Sequence, residues 1–137
     1  MKIHLICVGK TDEAYLQEGI QKFVGRLKHY VNFRLSIVPD VKQAKNLSVP
    51  DQKSKEAIAI KKLLSPGDRI ILLDERGSVW SSVELSSYLE KQALDSVHQL
   101  VFIIGGPYGF DDTLYSMANK LVSLSLYDFF TFFLYIF

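Results

Sequence analysis

Apolar and polar positions follow two alternating patterns along the chain, one typical of buried strands and the other typical of helices. The first segment is almost wholly apolar, as expected for a strand that is buried on both faces. Four later segments show either a similar apolar run or a strict alternation of apolar and polar residues. The predicted strands span residues 2–8, 33–37, 69–73, 100–104 and 121–125.

Helical periodicity occurs between these strands. The first helical stripe recurs at spacings of three and four, and it consists of Leu16, Ile20, Phe23, Leu27 and Tyr30. After a polar connection over residues 39–50, Ser48 or Asp51 is predicted to begin a second helix. The apolar residues of that helix are Ile58, Ile60, Leu63 and Leu64.

Two further helices follow. One begins at the capping box of residues 81–84, and the other is capped by Asp111 or Asp112 and runs through Asn119. Because helices separate the predicted strands, the sequence predicts an α/β fold with a mainly parallel sheet and helices on both faces. At 137 residues, the chain is predicted to form a single domain.

Three predicted strands end in segments suited to ligand binding, at residues 72–77, 105–109 and 123–125. Gly105 and Gly106 have no side chains, so backbone N–H groups there can approach a bound molecule closely. The carboxyl ends of parallel strands share one edge of the sheet, where ligands bind in open α/β folds. We therefore predict a small-molecule site at this edge. For the glycine turn taken alone, an ordinary connection from strand to helix is an equally good interpretation.

Few other residues indicate chemistry. Asp74 and Glu75 are neighbours on a strand end and point to opposite sides, so a solvated loop is favoured over an acid–base pair. Arg76 is interpreted as a surface residue, with anion binding as the alternative. The histidines show no metal-ligand spacing, Cys7 lies in an apolar run, and no metal site is predicted. A basic cluster is interpreted as a solvated face, with neutralisation of RNA phosphates as the alternative, and consists of Lys42, Lys45, Lys53 and Lys55.

Composition and the chain ends narrow the class of protein. The formal net charge is +1, which gives no strong signal for nucleic-acid or membrane binding. The first apolar segment is too short for a secretory signal and the single cysteine suits a reducing cytosol, so a cytoplasmic protein is expected. Residues 129–137 are uncharged and rich in phenylalanine, with a high β-propensity that favours aggregation unless the segment is buried.

A series of short motifs runs from Met1 to about Ser125. The motifs are Val8-Gly9-Lys10, Phe23-x-x-Arg26-Leu27-x-x-Tyr30, Lys53-x-x-Glu56, Leu73-Asp74-x-x-Gly77, Gly105-Gly106-Pro107-x-Gly109 and Ser123-Leu124-Ser125. In this order and spacing, the chain resembles the bacterial ribosomal RNA large subunit methyltransferase H family, which belongs to the SPOUT class of knotted enzymes.

The resemblance implies a SPOUT-type α/β knot near the C-terminus and a homodimer. It also implies S-adenosyl-L-methionine as the methyl donor, with cofactor contacts at Leu73, Gly105, Leu124 and Ser125. The implied substrate is a pseudouridine in large-subunit (23S) ribosomal RNA, which is methylated at N3 on the assembled ribosome. These four residues coincide with the strand ends identified above.

The family pattern ends after Ser125, and residues 126–137 form an aberrant tail that is expected to leave the knot incomplete. One interpretation of the tail is a one-base shift of the reading frame, and a divergent terminus is the other. The departure predicts weakened donor binding. An alternative function is therefore that of a catalytically inactive, ribosome-binding remnant of the same fold. A flavodoxin-like nucleotide-binding domain is a further alternative, which would make the motif series a coincidence.

Overall fold

The computed structural model describes residues 1–9, 14–41 and 44–136. Strands and helices alternate along this part of the chain. The described strands are β1 (Lys2–Val8), β2 (Asn32–Val38), β3 (Arg69–Val79), β4 (Gln99–Ile104) and β5 (Lys120–Ser123). The described helices are α1 (Ala14–Leu27), α2 (Val49–Lys61), α3 (Ser82–Leu94), α4 (Asp112–Met117) and α5 (Leu126–Ile136), with a 3₁₀ turn at Ala44–Asn46.

The strands pair in parallel in the order β2-β1-β4-β3-β5. Alternate residues of the central strand β4 face opposite sides, so Phe102 packs in one hydrophobic cluster while Val101 and Ile103 pack in another. Helices α1, α3 and α5 contribute to the first cluster, and α2 and α4 contribute to the second. The predicted α/β class is therefore confirmed, whereas the knot stays a prediction.

Several predicted element ends are wrong: β3 runs to residue 79 instead of 73, α2 ends at residue 61 before the last two apolar residues assigned to it, and two further ends differ. β5 stops before Leu124 because α5 follows immediately, and Ser125 caps that helix by accepting a hydrogen bond on its hydroxyl from a backbone N–H of α5. Helix α4 ends at Met117 rather than at Asn119. Asn119 instead anchors the strand that follows, because its side chain accepts a hydrogen bond from the Ile70 N–H at 2.8 Å.

Two residues assigned to apolar helix stripes are exposed. Tyr30 lies beyond the end of α1, and Ile58 lies on the outer face of α2. Leu27 and Ile60 are buried as the same stripes predict. The side chain of Leu16 lies outside the described residues.

The phenylalanine-rich segment is buried, which removes the aggregation hazard noted for an exposed tail, and it forms a helix despite its high β-propensity. Leu126, Phe129, Phe130 and Phe133 follow the i, i+3, i+4, i+7 spacing of a single helical face. All three phenylalanines are at most 2% exposed, and the Phe129 ring meets the Phe102 ring edge-on at 5.2 Å. Burial of one aromatic face against the sheet and against α1 and α3 outweighs local β-propensity here.

His4 is buried on β1 and forms hydrogen bonds with two polar residues of β2, the exposed Arg34 and the partly buried Ser36. The Arg34 guanidinium can only donate hydrogen bonds, so Nδ1 of His4 accepts from Arg34 Nη2 at 3.1 Å. The other ring nitrogen, Nε2, then carries the proton and donates to the Ser36 hydroxyl at 2.7 Å. Burial, assisted by the charge of Arg34 and opposed by Asp68, lowers the pKa of His4 to about 4.

We expect acid to destabilise the fold through His4. The imidazole of the unfolded chain takes up a proton below its ordinary pKa of 6.5, whereas the folded one stays neutral down to about pH 4. The contribution of His4 to the free energy of unfolding should therefore be full above pH 6.5 and fall by about 3 kcal/mol as the pH decreases through this range.

Urea unfolding of the wild type and of His4→Gln, at neutral pH and near pH 4, measures this effect. The difference in stability between the two proteins should shrink on acidification, since the glutamine variant lacks the titrating ring. A difference that stays the same at both pH values would contradict the assignment of a neutral, buried imidazole.

Candidate functional site

A cavity of about 490 Å³, the edge cavity, opens at one edge of the sheet beside the middle of β3 and the carboxyl end of β4. Its lining comprises residues 73–76 and 104–110, with Lys53 added from α2 and Tyr115 added from α4. Because the described strands are all parallel, their carboxyl ends share this edge. The predicted placement of the segments at one edge is therefore confirmed, but only the first two of the three, residues 72–77 and 105–109, contribute to the cavity lining.

The first wall of the edge cavity is a bulge in β3. Leu73 and Ser78 both pair with Val122 of β5, so residues 74–77 leave the regular ladder. Gly77 lies directly against the backbone of β5, and a Cβ atom there would be 2.4 Å from a backbone carbon. Glycine lets the bulge return to the sheet, and the bulge brings its charged side chains to the cavity.

The second wall is the loop over residues 105–109. The N–H of Gly109 donates to the carbonyl of Gly106 at 3.2 Å, and Gly109 adopts a φ of 78°, a conformation that favours glycine. A Cβ atom at Gly105 would lie 2.9 Å from the Phe110 ring, and one at Gly106 would lie 2.6 Å from the Glu56 carboxylate. Because Gly105 and Gly106 have no side chains, their backbone atoms pack directly against the protein interior on one side and line the cavity on the other.

Asp74 lies in a hydrogen-bonded cluster with Tyr115 and Arg76. One carboxylate oxygen accepts the Tyr115 hydroxyl, and the other accepts the Arg76 backbone N–H at 2.9 Å and its Nε at 3.3 Å. Burial pushes the pKa of Asp74 upward, but these hydrogen bonds outweigh burial and hold the pKa below its ordinary value. The Asp74 side chain is only 6% exposed, so the prediction of a solvated loop is wrong for Asp74, whereas Glu75 is exposed.

Glu56 is a buried carboxylate that the sequence did not single out as a site residue. It lies on α2 behind the glycine loop and accepts a hydrogen bond from the Gln52 side chain at 3.3 Å. Burial raises the pKa of Glu56, Gln52 opposes this, and the nearby charge of Asp40 raises the pKa further. The motif Lys53-x-x-Glu56 was the available signal, but its spacing does not reveal the contact with Gly106.

Of the four predicted cofactor contacts, Gly105, Leu124 and Ser125 lie just beyond the carboxyl ends of β4 and β5, and Leu73 lies beside the bulge of β3, the strand between them. Leu73 and Gly105 line the edge cavity. Leu124 packs against the hydrophobic core, and the hydroxyl of Ser125 caps α5, so neither of these two lines the cavity. Their roles in cofactor binding stay predictions.

The other candidate residues show no further site chemistry. Burial raises the pKa of the Cys7 thiol to about 12, so it is a poor nucleophile. Within residues 1–9, 14–41 and 44–136, no three His, Cys, Asp or Glu side chains gather as a metal site would require. The helices of these ranges are all too short or too polar to cross a membrane. In the basic cluster, Lys45 and Lys55 are exposed, and Lys42 lies outside the described residues.

Comparison with known proteins identifies the family. The family model described as predicted SPOUT methyltransferase matches residues 1–132. The ribosomal RNA large subunit methyltransferase H of Parabacteroides distasonis is 47% identical over 125 residues, which cover 91% of this chain and 80% of that protein. The protein of the same name from Flavobacterium johnsoniae is 50% identical over 129 residues, covering 94% and 82%. The chain therefore belongs to the ribosomal RNA large subunit methyltransferase H family of SPOUT methyltransferases.

Proposed function

We propose that this chain transfers the methyl group of S-adenosyl-L-methionine to N3 of a pseudouridine in 23S ribosomal RNA on the assembled ribosome. The edge cavity carries the proposal, because it adjoins two of the four residues that the resemblance assigns to the donor. Its lining residues all precede the tail, so the cavity does not depend on residues 126–137 for its walls. A homodimer acting in the bacterial cytoplasm is part of the same proposal.

The edge cavity suits such a donor in size and charge. A volume of about 490 Å³ falls within the range of about 300–1,000 Å³ that is typical of small-molecule sites. Asp74 and Glu75 line the cavity and their negative charges would attract the positively charged sulfonium, while Lys53 and Arg76 add two positive charges to the same lining. Leu73 would hold the donor by apolar contact and Gly105 by its backbone, while the segment after β5 would lie beside them.

When bound, the donor supplies a methyl group on a positively charged sulfur. Transfer of that group depends on alignment with the accepting nitrogen at near-contact distance, so the protein must hold both partners rigidly. The bulge and the glycine loop suit this task because close contacts at Gly77 and Gly105 anchor them. Asp74 is poorly suited to accept the N3 proton, because its hydrogen bonds lower its pKa and weaken it as a base.

Methyl incorporation into ribosomes tests the proposal. Ribosomes from a strain that lacks this modification are incubated with the chain and with S-adenosyl-L-methionine that carries tritium in its methyl group. Mass spectrometry of the digested 23S RNA then identifies the methylated nucleotide. We expect a single product, pseudouridine methylated at N3. Methylation of another nucleotide would contradict the substrate assignment.

A catalytically inactive ribosome-binding protein is the second candidate function. The placement of Leu124 and Ser125 favours it, because one side chain packs in the core and the other caps α5 instead of lining the cavity. Co-sedimentation of the chain with ribosomes, without any methyl incorporation in the assay above, would support this candidate over methyl transfer.

A further inference from the structure

Arg76 is held at the rim of the edge cavity by several contacts, although its side chain is 66% exposed. Its Nε donates to Asp74 at 3.3 Å, and its guanidinium carbon lies 4.6 Å from the centre of the Tyr115 ring. The Tyr115 hydroxyl donates to the same carboxylate. An arginine restrained in this way loses little further freedom when it binds an anion.

Lys53 adds a second positive charge to the same cavity from a different element, α2. The described residues provide no carboxylate within 4.0 Å of its ammonium group. A guanidinium offers a rigid fork of donors and an ammonium offers a compact charge, and both groups bind phosphate oxygens well. Arg76 and Lys53 together are therefore suited to one phosphate group.

We infer that Arg76 and Lys53 bind a backbone phosphate of the RNA beside the nucleotide that enters the edge cavity, and that Asp74 and Tyr115 position Arg76 for this contact. The inference rests on the proposed function and adds the residues that hold the nucleic acid. An RNA phosphate is favoured over the carboxylate of the methyl donor, because the Arg76 side chain is largely exposed at the rim, within reach of a macromolecule arriving from solvent.

Salt-dependent ribosome binding tests the inference. Affinity is measured by co-sedimentation with ribosomes at several potassium chloride concentrations for the wild type, Arg76→Gln and Lys53→Gln. Loss of one phosphate contact should reduce the slope of log affinity against log salt concentration by about 0.7–0.9. Because both residues contact the same phosphate, the double variant should show this reduction in full, and each single variant should show part of it.

Lys55→Gln is the matched control. Lys55 lies on the same helix as Lys53 and is exposed, but it does not line the edge cavity. The substitution removes the same charge and should leave the salt slope at its wild-type value. A reduction by Lys55→Gln equal to that by Lys53→Gln would show a general effect of charge and would overturn the inference.

Tyr115→Phe tests the positioning role. This variant keeps the ring that stacks with Arg76 but lacks the hydroxyl that donates to Asp74. It should weaken ribosome binding several-fold when Arg76 is present and have no effect in the Arg76→Gln background. Equal losses in both backgrounds would show that Tyr115 has only a structural role.

Calorimetric titration with S-adenosyl-L-methionine separates the remaining outcomes. Arg76→Gln and Lys53→Gln should bind the donor at least as tightly as the wild type, because each removes a positive charge from the cavity that receives the sulfonium. Weakened donor binding would overturn the inference in favour of contact with the donor's carboxylate. Wild-type ribosome affinity in both variants would overturn it while leaving the proposed function intact. A wild-type chain that binds the donor but not ribosomes would contradict the proposed function and the inference together.

Discussion

Replacing Phe133 by alanine is expected to lower the free energy of unfolding by about 3–5 kcal/mol. The Phe133 side chain lies on the buried face of α5 and is fully buried. Its ring centre lies 4.4 Å from that of Phe129 and 5.9 Å from that of Phe102. Alanine would leave a cavity that the neighbouring rings cannot fill without moving. Urea unfolding followed by circular dichroism measures the loss.

Tyr127→Ala is the matched control in the same helix. It also removes an aromatic ring, but Tyr127 is 74% exposed, so the free energy of unfolding should change by no more than about 0.5 kcal/mol. Similar losses from Tyr127→Ala and Phe133→Ala would mean that α5 does not pack on the core in solution.

The second large effect is expected for Gly77→Ala. The added Cβ atom would lie 2.4 Å from the carbonyl carbon of Leu121 and from the amide nitrogen of Val122, well inside contact distance. These are backbone atoms of β5, so the clash is relieved only if β3 and β5 separate. We expect the free energy of unfolding to fall by about 1–3 kcal/mol. Binding of S-adenosyl-L-methionine, measured by calorimetry, should also weaken because the bulge carrying Asp74 is displaced.

Gly25→Ala makes the same chemical change on α1, where nothing lies within 4 Å of the added atom. Alanine is favoured over glycine in a helix by about 1 kcal/mol, so this variant should be at least as stable as the wild type. It should also bind the donor with wild-type affinity. If Gly77→Ala proved as well tolerated as Gly25→Ala, the close approach of the bulge to β5 would be refuted.

The sheet was predictable because β1 and β4 are buried on both faces and contain few polar residues, whereas β2 shows the alternation of apolar and polar residues of a half-exposed strand. Helix starts were predictable because their caps act locally: Ser48, Ser81 and Asp111, each among the predicted caps, accept hydrogen bonds from the backbone of the helices they begin. Parallel strands then place their carboxyl ends at one edge. That rule is sufficient to bring Leu73 and Gly105 to the same cavity.

The side-chain partners within the site were not predictable, because they depend on contacts between distant parts of the chain. Asp74 and Tyr115 are 41 residues apart, and no local pattern indicates that they meet. The β3 bulge resembles a loop in sequence because its residues are polar and end in Gly77. The buried face of α5 was not recognisable from the sequence, because apolar residues such as Phe132 also occur outside that face and mask the helical periodicity.

The most direct test of the central claim is an NMR titration of ¹⁵N-labelled protein with S-adenosyl-L-methionine, followed through the backbone amides of glycines. Gly105, Gly106 and Gly109 line the edge cavity, whereas Gly19 and Gly25 lie on α1. The first three signals should shift with increasing donor until the site is saturated, while the two α1 signals stay in place. Unchanged signals from the three cavity glycines at saturating donor would contradict the claim that this edge of the sheet binds the methyl donor.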